Sequence, residues 1–146
     1  MVNIAFGVFL VIPALILIII HDIKSRFIDN RAVVVLAVLV LLGWFTQPNW
    51  HIWPYTLAIV LGGLLLFQLG VLGAGDTKLL AVISLGIDPS YMPLTLVGIA
   101  MVGGVMALGY LLYGLLTDLA KVRQRGIPYG VPICLVGGLA IVVSAL

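Results

Sequence analysis

The chain has 146 residues, of which 64% are hydrophobic and 8% are charged, and its formal net charge is +2. A mean hydropathy of +1.34 lies outside the range of soluble domains and excludes a conventional fold in water. Since a helix needs about 20 apolar residues to cross a bilayer, this length holds about six spans. We expect a single membrane domain over residues 1–146, with no room for a soluble one.

Six apolar runs follow one another along the chain and predict an all-α bundle of about six transmembrane helices. They lie at about 3–20, 32–46, 55–72, 79–87, 91–116 and 129–146. The first run has no basic segment before it and no small-residue cleavage site after it, so we expect a retained span rather than a cleaved signal peptide. The fourth run is too short alone, and we expect it to take in residues 74–78.

All the basic residues fall in alternate connections between these runs. They are Lys24, Arg26, Arg31, Lys78, Lys121, Arg123 and Arg125. The opposite connections carry aromatic residues suited to the membrane interface, such as Trp50, Trp53 and Tyr91. Because insertion retains basic loops in the cytoplasm, the chain is predicted to be multi-pass with both termini on the outer, periplasmic side.

The acidic residues are all aspartates, and two of them fall at the same predicted face. Asp22 follows the first run directly, and Asp76 lies where the third run meets the fourth. Ionisable residues at the edge of the hydrocarbon are expensive and are usually paired or functional. A structural alternative remains open, in which each is a helix-end charge paired with a nearby base: Asp22 with Lys24 or Arg26, and Asp76 with Lys78.

The remaining aspartates are interpreted as structural. Asp29 and Asp118 are solvated loop residues or partners of Arg31 and Lys121, and Asp88 lies on the outer side by the predicted topology. Asp88 is therefore not expected to join the pair.

The segment Gly73-Ala74-Gly75-Asp76 favours a functional role for Asp76. Its glycines carry no side chain and permit unusual backbone angles, so a substrate strand can come close to the carboxylate. Two carboxyl groups within hydrogen-bond reach share one proton, and one acts as base on a water while the other acts as acid toward the scissile carbonyl. This chemistry needs no cofactor and no metal. With Cys134 as the one cysteine, neither a disulfide framework nor a CxxC zinc site is expected.

Three motifs carry a resemblance to a known family. GAGDTK, residues 73–78, resembles the GxGDxK motif of the type IV prepilin peptidases, and HDIKSRFIDN, residues 21–30, is similar to that family's first aspartate motif. IPYGVPICLVGG, residues 127–138, resembles the Pro-Tyr-Gly stretch that opens the last helix of the short Tad-type members.

The resemblance implies an aspartyl endopeptidase of the bacterial inner membrane, with Asp22 and Asp76 as its catalytic pair. It would cleave the leader from Flp/Tad-like prepilins at the cytoplasmic face. Its implied partners are the prepilin, with its leader peptide and N-terminal apolar helix, and the lipid bilayer, but no nucleic acid. The implied substrate-binding or supporting residues are Gly73, Gly75, Lys78, Lys24, Tyr129 and Gly130.

Two departures from the family pattern are visible. The larger members resemble this chain but carry an extra segment with paired CxxC motifs, linked to N-methylation of the new pilin terminus. That segment has no counterpart in the chain, so N-methyltransferase activity is not expected. Asp29 stands where the family often has Pro or Ser.

Other function classes remain open. A small proton-coupled transporter would favour an acidic residue near the bilayer midplane, whereas Asp22 and Asp76 fall at helix ends. A non-catalytic scaffold for pilus or secretion assembly would need only the glycine-rich spans and gives no reason for two boundary aspartates. A presenilin-like protease shares GxGD but would be expected to carry a Tyr-Asp pair inside an earlier span, and no Asp of this chain directly follows a Tyr.

Overall fold

The apolar runs form α-helices because backbone amides and carbonyls in lipid have no water to bind and are satisfied within a helix. The computed structural model describes residues 2–46 and 48–146, and their side chains from residue 9 onward. No strand occurs among these residues, and the all-α prediction is confirmed. The helices are α1 Val2–Ser25, α2 Asn30–Thr46, α3 Trp53–Gln68, α4 Ala74–Ser84, α5 Met92–Leu116, α6 Leu119–Arg125 and α7 Gly130–Ser144. Short 3₁₀ turns, Trp50–Ile52 and Pro89–Tyr91, precede α3 and α5.

The six predicted runs correspond to α1, α2, α3, α4, α5 and α7, but the third and fourth runs were predicted too long, since α3 ends at Gln68 and α4 at Ser84. As predicted, the fourth helix takes in residues 74–78: α4 begins at Ala74 and ends at Ser84, after 11 residues. The short α6 was not predicted, because its sequence LAKVRQR is too charged to register as an apolar run. Asp118 caps it by accepting hydrogen bonds from the amides of Ala120 and Lys121, and Gly126 ends it with φ +73.

Two helical segments in the described part of the chain are long and apolar enough to cross a membrane. They are Trp50–Gln68 and Pro89–Leu116, and a third is added if α6 and α7, bent by 52°, form one span. α2 is apolar but shorter, at 17 residues. The chain is therefore a helical membrane protein, while the count of about six spans and the outward termini stay predictions.

α7 lies at the centre of the bundle and contacts α1, α4 and α5. α2 packs against α1 and α4, and α3 packs against α4. Small residues let these helices approach closely where no hydrophobic force acts between them in lipid, and buried Gly137 and Gly138 serve this purpose on α7. Large apolar side chains cover the outside, as on Leu94 and Leu116. The amino end of α7 is thus surrounded by the ends of its neighbours.

The helices divide the molecule into two ends. The connections α1–α2, α3–α4 and α5–α6–α7 lie together at what we call the basic end, since all seven Lys and Arg residues lie in these connections or the helix turns beside them. At the opposite end, the amide of Asp88 donates to Oγ of Ser144 at 2.9 Å. The hydroxyl and amide of Ser90 donate to Asp88 and hold the pKa of that carboxyl below its usual value. Asp88 therefore lies at the opposite end of the bundle from Asp22 and Asp76.

Candidate active site

Asp22 lies in the last turn of α1, where the helix is stopped by an unusual backbone conformation. Arg26 adopts φ +55, the left-handed region that commonly terminates helices. Its amide donates to the carbonyl oxygen of Asp22 at 2.8 Å. The Asp22 residue is only 4% exposed, and its Oδ2 atom has no hydrogen-bond partner within residues 9–46 and 48–146. A buried carboxyl oxygen without a partner is costly and marks a site where another group can bind.

Gly130 opens α7 directly against this carboxyl group. A Cβ atom at Gly130 would lie 2.6 Å from Oδ2 of Asp22, so no larger residue fits without displacing Asp22. The backbone amides of Gly130 and Val131 lie close enough to act on the carboxylate, although Oδ2 itself accepts no hydrogen bond. Helix amino termini favour negative charge. Asp22 is therefore held at the amino terminus of the central helix.

Asp76 lies in the first turn of α4, where the Gly-Ala-Gly segment ends. Gly73 is the N-cap residue with extended backbone angles, φ −73 and ψ 149. Its amide donates to Oδ2 of Asp76 at 3.1 Å, which is the half of a capping box in which the N3 side chain reaches back to the N-cap amide. A Cβ atom at Gly73 would lie 2.7 Å from the same oxygen. The glycine thus lets the half-buried carboxyl group fold back over the start of α4.

The two aspartates are neighbours in space although they are far apart in sequence. Gly130 lies against Oδ2 of Asp22, and Gly75, the residue before Asp76, lies against the same Ile28 side chain as Gly130 does. Cys134 is buried in α7, one turn after Gly130. Asp22 and Asp76 therefore both lie beside the first turns of α7.

Ile28, in the connection between α1 and α2, packs between the two glycine positions of this site. A Cβ atom at Gly75 would lie 3.1 Å from Cβ of Ile28, and one at Gly130 would lie 3.2 Å from Cδ1 of the same residue. Ile28 is buried. The end of α1, the start of α4 and the start of α7 thus meet around one apolar side chain.

The helix-end ion pairs considered as a structural alternative are not formed. Nζ of Lys78 donates to Oδ1 of Asn30 at 3.2 Å and not to Asp76. The one ion pair of the described residues joins Lys121 to Asp118 at 3.3 Å, which confirms that predicted partnership.

The other aspartate and the remaining supporting residues have structural contacts or face outward. Oδ1 of Asp29 accepts from the amide of Arg31 at 3.0 Å, which caps α2. Lys24 is exposed at the basic end. Tyr129 is half-buried, with its ring against α5: a Cβ atom at Gly103 would lie 3.2 Å from Cε1 of the tyrosine. Tyr129 therefore packs the start of α7 onto α5.

The contact between Arg26 and Tyr110 was not predicted, since the sequence suggested Arg26 only as a possible ion-pair partner of Asp22. Nη2 of Arg26 donates to the hydroxyl of Tyr110 at 2.8 Å, and Arg26 acts electrostatically on Asp22. The position of Arg26 within the first aspartate motif was a signal that could have singled it out. Tyr110 lies in the apolar run of α5, three residues before Tyr113, and carries no such signal.

An apolar groove of about 440 Å³ begins beside the first turn of α4. It runs between α2, α3 and α4, and Ala74, Thr77 and Lys78 line it from one face of α4, a face that does not include Asp76. The rest of its lining is aliphatic or aromatic, as with Val60 and Phe67. The groove offers a surface for an apolar segment whose end reaches the first turn of α4.

This arrangement suits acid–base chemistry on a water molecule. The helix amino terminus beside Asp22 stabilises negative charge, and carboxyl groups that interact strongly hold protons as a pair. Within the described part of the chain, no three His, Cys, Asp or Glu residues are grouped as metal ligands would be. The expectation of chemistry without a metal or cofactor stays a prediction.

Comparison with known proteins gives one match. Residues 9–108 match the model of the type IV leader peptidase family. The matched range contains both aspartate motifs and ends before α6 and α7. No curated protein and no solved structure matches the chain.

Proposed function

The chain belongs to the type IV leader peptidase family, and we propose that it is an aspartyl endopeptidase that cleaves the leader of Flp/Tad-like prepilins. The proposed cut takes place at the cytoplasmic face of the bacterial inner membrane. The observation that supports the aspartyl mechanism is the packing of Gly130, at the amino end of α7, against Oδ2 of Asp22, together with the packing of Ile28 against both Gly130 and Gly75, the residue before Asp76. Family membership supports a leader peptidase in general, and the pair of carboxyl groups supports this mechanism.

In the proposed reaction the two aspartates share one proton. The ionised carboxylate removes a proton from a water molecule as the water oxygen attacks the scissile carbonyl carbon. At the same time the protonated carboxyl group donates its proton to the carbonyl oxygen. The proton taken from water is then given to the leaving amine as the peptide bond breaks. The roles belong to the pair rather than to either residue.

The groove supports a substrate with an apolar helix next to its cleavage site. A prepilin has a short leader in the cytoplasm followed by an apolar helix in the bilayer, so its scissile bond lies at the membrane boundary. The groove between α2, α3 and α4 is lined by apolar side chains and begins at the turn of α4 that holds Asp76. A helix seated there would place the bond before it at the depth of the first turn of α4, the turn that carries Asp76, although Asp76 itself does not line the groove.

Cleavage of a prepilin by the purified protein in liposomes tests this function. Wild-type protein is expected to release the leader by a single cut ahead of the apolar helix, which mass spectrometry of both products identifies. The new terminus is expected to stay unmethylated in the presence of S-adenosylmethionine.

Asp22→Asn and Asp76→Asn are each expected to lower the rate by about 10³-fold, because the amide keeps the shape but cannot exchange the proton. Asp118→Asn is the matched control, since Asp118 lies at the same end but pairs with Lys121. Cleavage by Asp22→Asn or Asp76→Asn at the rate of the Asp118→Asn control would contradict the proposal.

A further inference from the structure

Arg26 joins three elements at the basic end. Nη2 donates to the hydroxyl of Tyr110 on α5 at 2.8 Å, and Nη1 donates to the carbonyl oxygen of Gly126, after α6, at 3.3 Å. The guanidinium carbon also lies 5.0 Å from the centroid of the Tyr110 ring, within the range of cation–π contact. A planar fork of donors that can stack on a ring is a property of arginine and not of lysine.

The backbone of Arg26 is held in a conformation that side chains other than glycine rarely adopt. Its φ of +55 is the one positive value among the described residues that are not glycine, and such conformations persist where the surroundings hold them. The contacts with Tyr110 and Gly126 provide that hold. Because the amide of Arg26 closes the last turn of α1 on the carbonyl of Asp22 at 2.8 Å, the position of Arg26 determines the position of that turn.

Asp22 leaves little tolerance for movement of this turn. Its Oδ2 atom lies 2.6 Å from the position that a Cβ atom would take on Gly130, and the turn beyond it is otherwise exposed at Ile23, Lys24 and Ser25. Helix ends fray unless they are held. The side chain of Arg26 is half-buried, and its Nε atom has no partner in the part of the chain that the structure describes. The two other nitrogens of its guanidinium make the attachments to α5 and to the connection before α7.

We propose that Arg26 is a positioning residue for the Asp22–Asp76 pair. Through Tyr110 and Gly126 it anchors the end of α1 to α5 and to the segment that leads into α7, and so it aims the carboxyl group of Asp22 at the amino end of α7. This inference rests on the proposed function. Because two nitrogens of its guanidinium are engaged by Tyr110 and Gly126, loss of Arg26 is expected to act on the chemical step and not on substrate binding.

Steady-state cleavage of a prepilin in liposomes separates positioning from binding. Arg26→Gln is expected to lower kcat by about 10-fold to 100-fold, the effect of a displacement of about 1 Å at a reacting group, with KM changed by less than about 2-fold. Tyr110→Phe, which keeps the ring and removes the hydroxyl that accepts from Arg26, is also expected to lower kcat. Because both changes break the same link, the double variant should be no slower than Arg26→Gln.

Two further variants and a stability measurement act as controls. Arg31→Gln removes a cation at the same end whose side chain is exposed, and it is expected to keep the wild-type kcat. Arg26→Lys keeps the charge without the fork and is expected to remain impaired. Thermal unfolding in detergent reports whether a variant folds, and if Arg26→Gln does not fold, the kcat of Tyr110→Phe decides alone.

A raised KM with unchanged kcat for Arg26→Gln would overturn the inference and indicate a leader-binding cation. Full activity of Arg26→Lys would overturn it, because a positive charge at residue 26 would then be sufficient. A wild-type kcat for Tyr110→Phe would also overturn it. Asp76→Asn in the same assay separates the two proposals. If Asp76→Asn is inactive while Arg26→Gln is normal, only the inference fails; if Asp76→Asn cleaves normally, the proposed function fails as well.

Discussion

One missing Cβ atom determines how closely the carboxyl group of Asp22 approaches α7. Gly130 permits this approach, since any side chain there would overlap Oδ2 of Asp22 at 2.6 Å. The sequence singled out Gly130 by resemblance alone. The requirement for a residue without a side chain at position 130 arises from the packing of α1 against α7. These helices are far apart in the sequence, so no local sequence pattern predicts it.

Replacement of Gly130 is therefore predicted to affect catalysis more than folding. Gly130→Ala should lower kcat by about 10-fold to 100-fold, because the added methyl group displaces the Asp22 carboxyl group by a fraction of an ångström to about 1 Å. The comparison is Gly104→Ala on α5, where a Cβ atom meets nothing within 4 Å. The measurement is prepilin cleavage together with thermal unfolding, and wild-type kcat in Gly130→Ala would count against the arrangement.

Lys78 illustrates a residue whose partner the motif did not reveal. The sequence placed it two residues after Asp76 as a possible partner. Side chains two apart on a helix point in different directions and do not meet. Once α4 begins at Ala74, Lys78 is turned away from Asp76 toward Asn30. The predicted role for Lys78 in supporting Asp76 would thus have to act without direct contact.

At the scale of the elements, α4 is unusually short for a helix in a membrane protein. Its 11 residues extend about 16 Å at 1.5 Å per residue, which is roughly half the thickness of the hydrocarbon core. The apolar groove lies along this helix, with Ala37 of α2 and Ala81 of α4 among the small residues that line it. A short helix bordered by small residues leaves space that a second apolar segment can occupy.

Filling the groove is predicted to weaken substrate binding. Ala81→Trp should raise KM for a prepilin by about 10-fold, the equivalent of about 1.4 kcal/mol of lost contact, while kcat at saturation changes little. The control is Ala100→Trp, an exposed position on α5 that does not line the groove. KM values are measured in liposomes, and an equal KM for the two variants would show that the substrate helix binds elsewhere.

Residue patterns predicted the elements better than their arrangement. Apolar runs are local, so the bounds of the long helices follow from them to within a few residues. The helix α6 was not predicted because it is stabilised by the Asp118 cap and ended by Gly126, and has too few apolar residues to form a run. The central position of α7 depends on its packing against α1, α4 and α5. No pattern in the sequence of α7 predicts which helices it contacts.

At the scale of the whole molecule, charge is distributed unevenly between the two ends. The basic end carries all seven Lys and Arg residues, and it also carries Asp22 and Asp76. Since basic connections stay in the cytoplasm during insertion, this end is predicted to face the cytoplasm. The site would then be on the side where a leader peptide is synthesised.

Cysteine labelling tests this orientation. Ser25 and Ser90 are exposed at the basic and the opposite end, and Cys134 is buried. In intact cells, with the outer membrane permeabilised where one is present, a maleimide that cannot cross the inner membrane is expected to label Ser90→Cys. It is expected to label Ser25→Cys only after that membrane is opened. Labelling of Ser25→Cys before that step would place the aspartates on the outer side.

The central claim is that Asp22 and Asp76 act as one catalytic unit, and a double-variant comparison tests it most directly. The kcat/KM for prepilin cleavage is measured for Asp22→Asn, Asp76→Asn and the protein carrying both changes. Groups that act as a unit show strongly non-additive losses, so each single variant is predicted to lose about 10³-fold and the double variant is predicted to lose about as much as one single variant. Losses that multiply in the double variant, or a single variant that retains wild-type kcat/KM, would contradict the account.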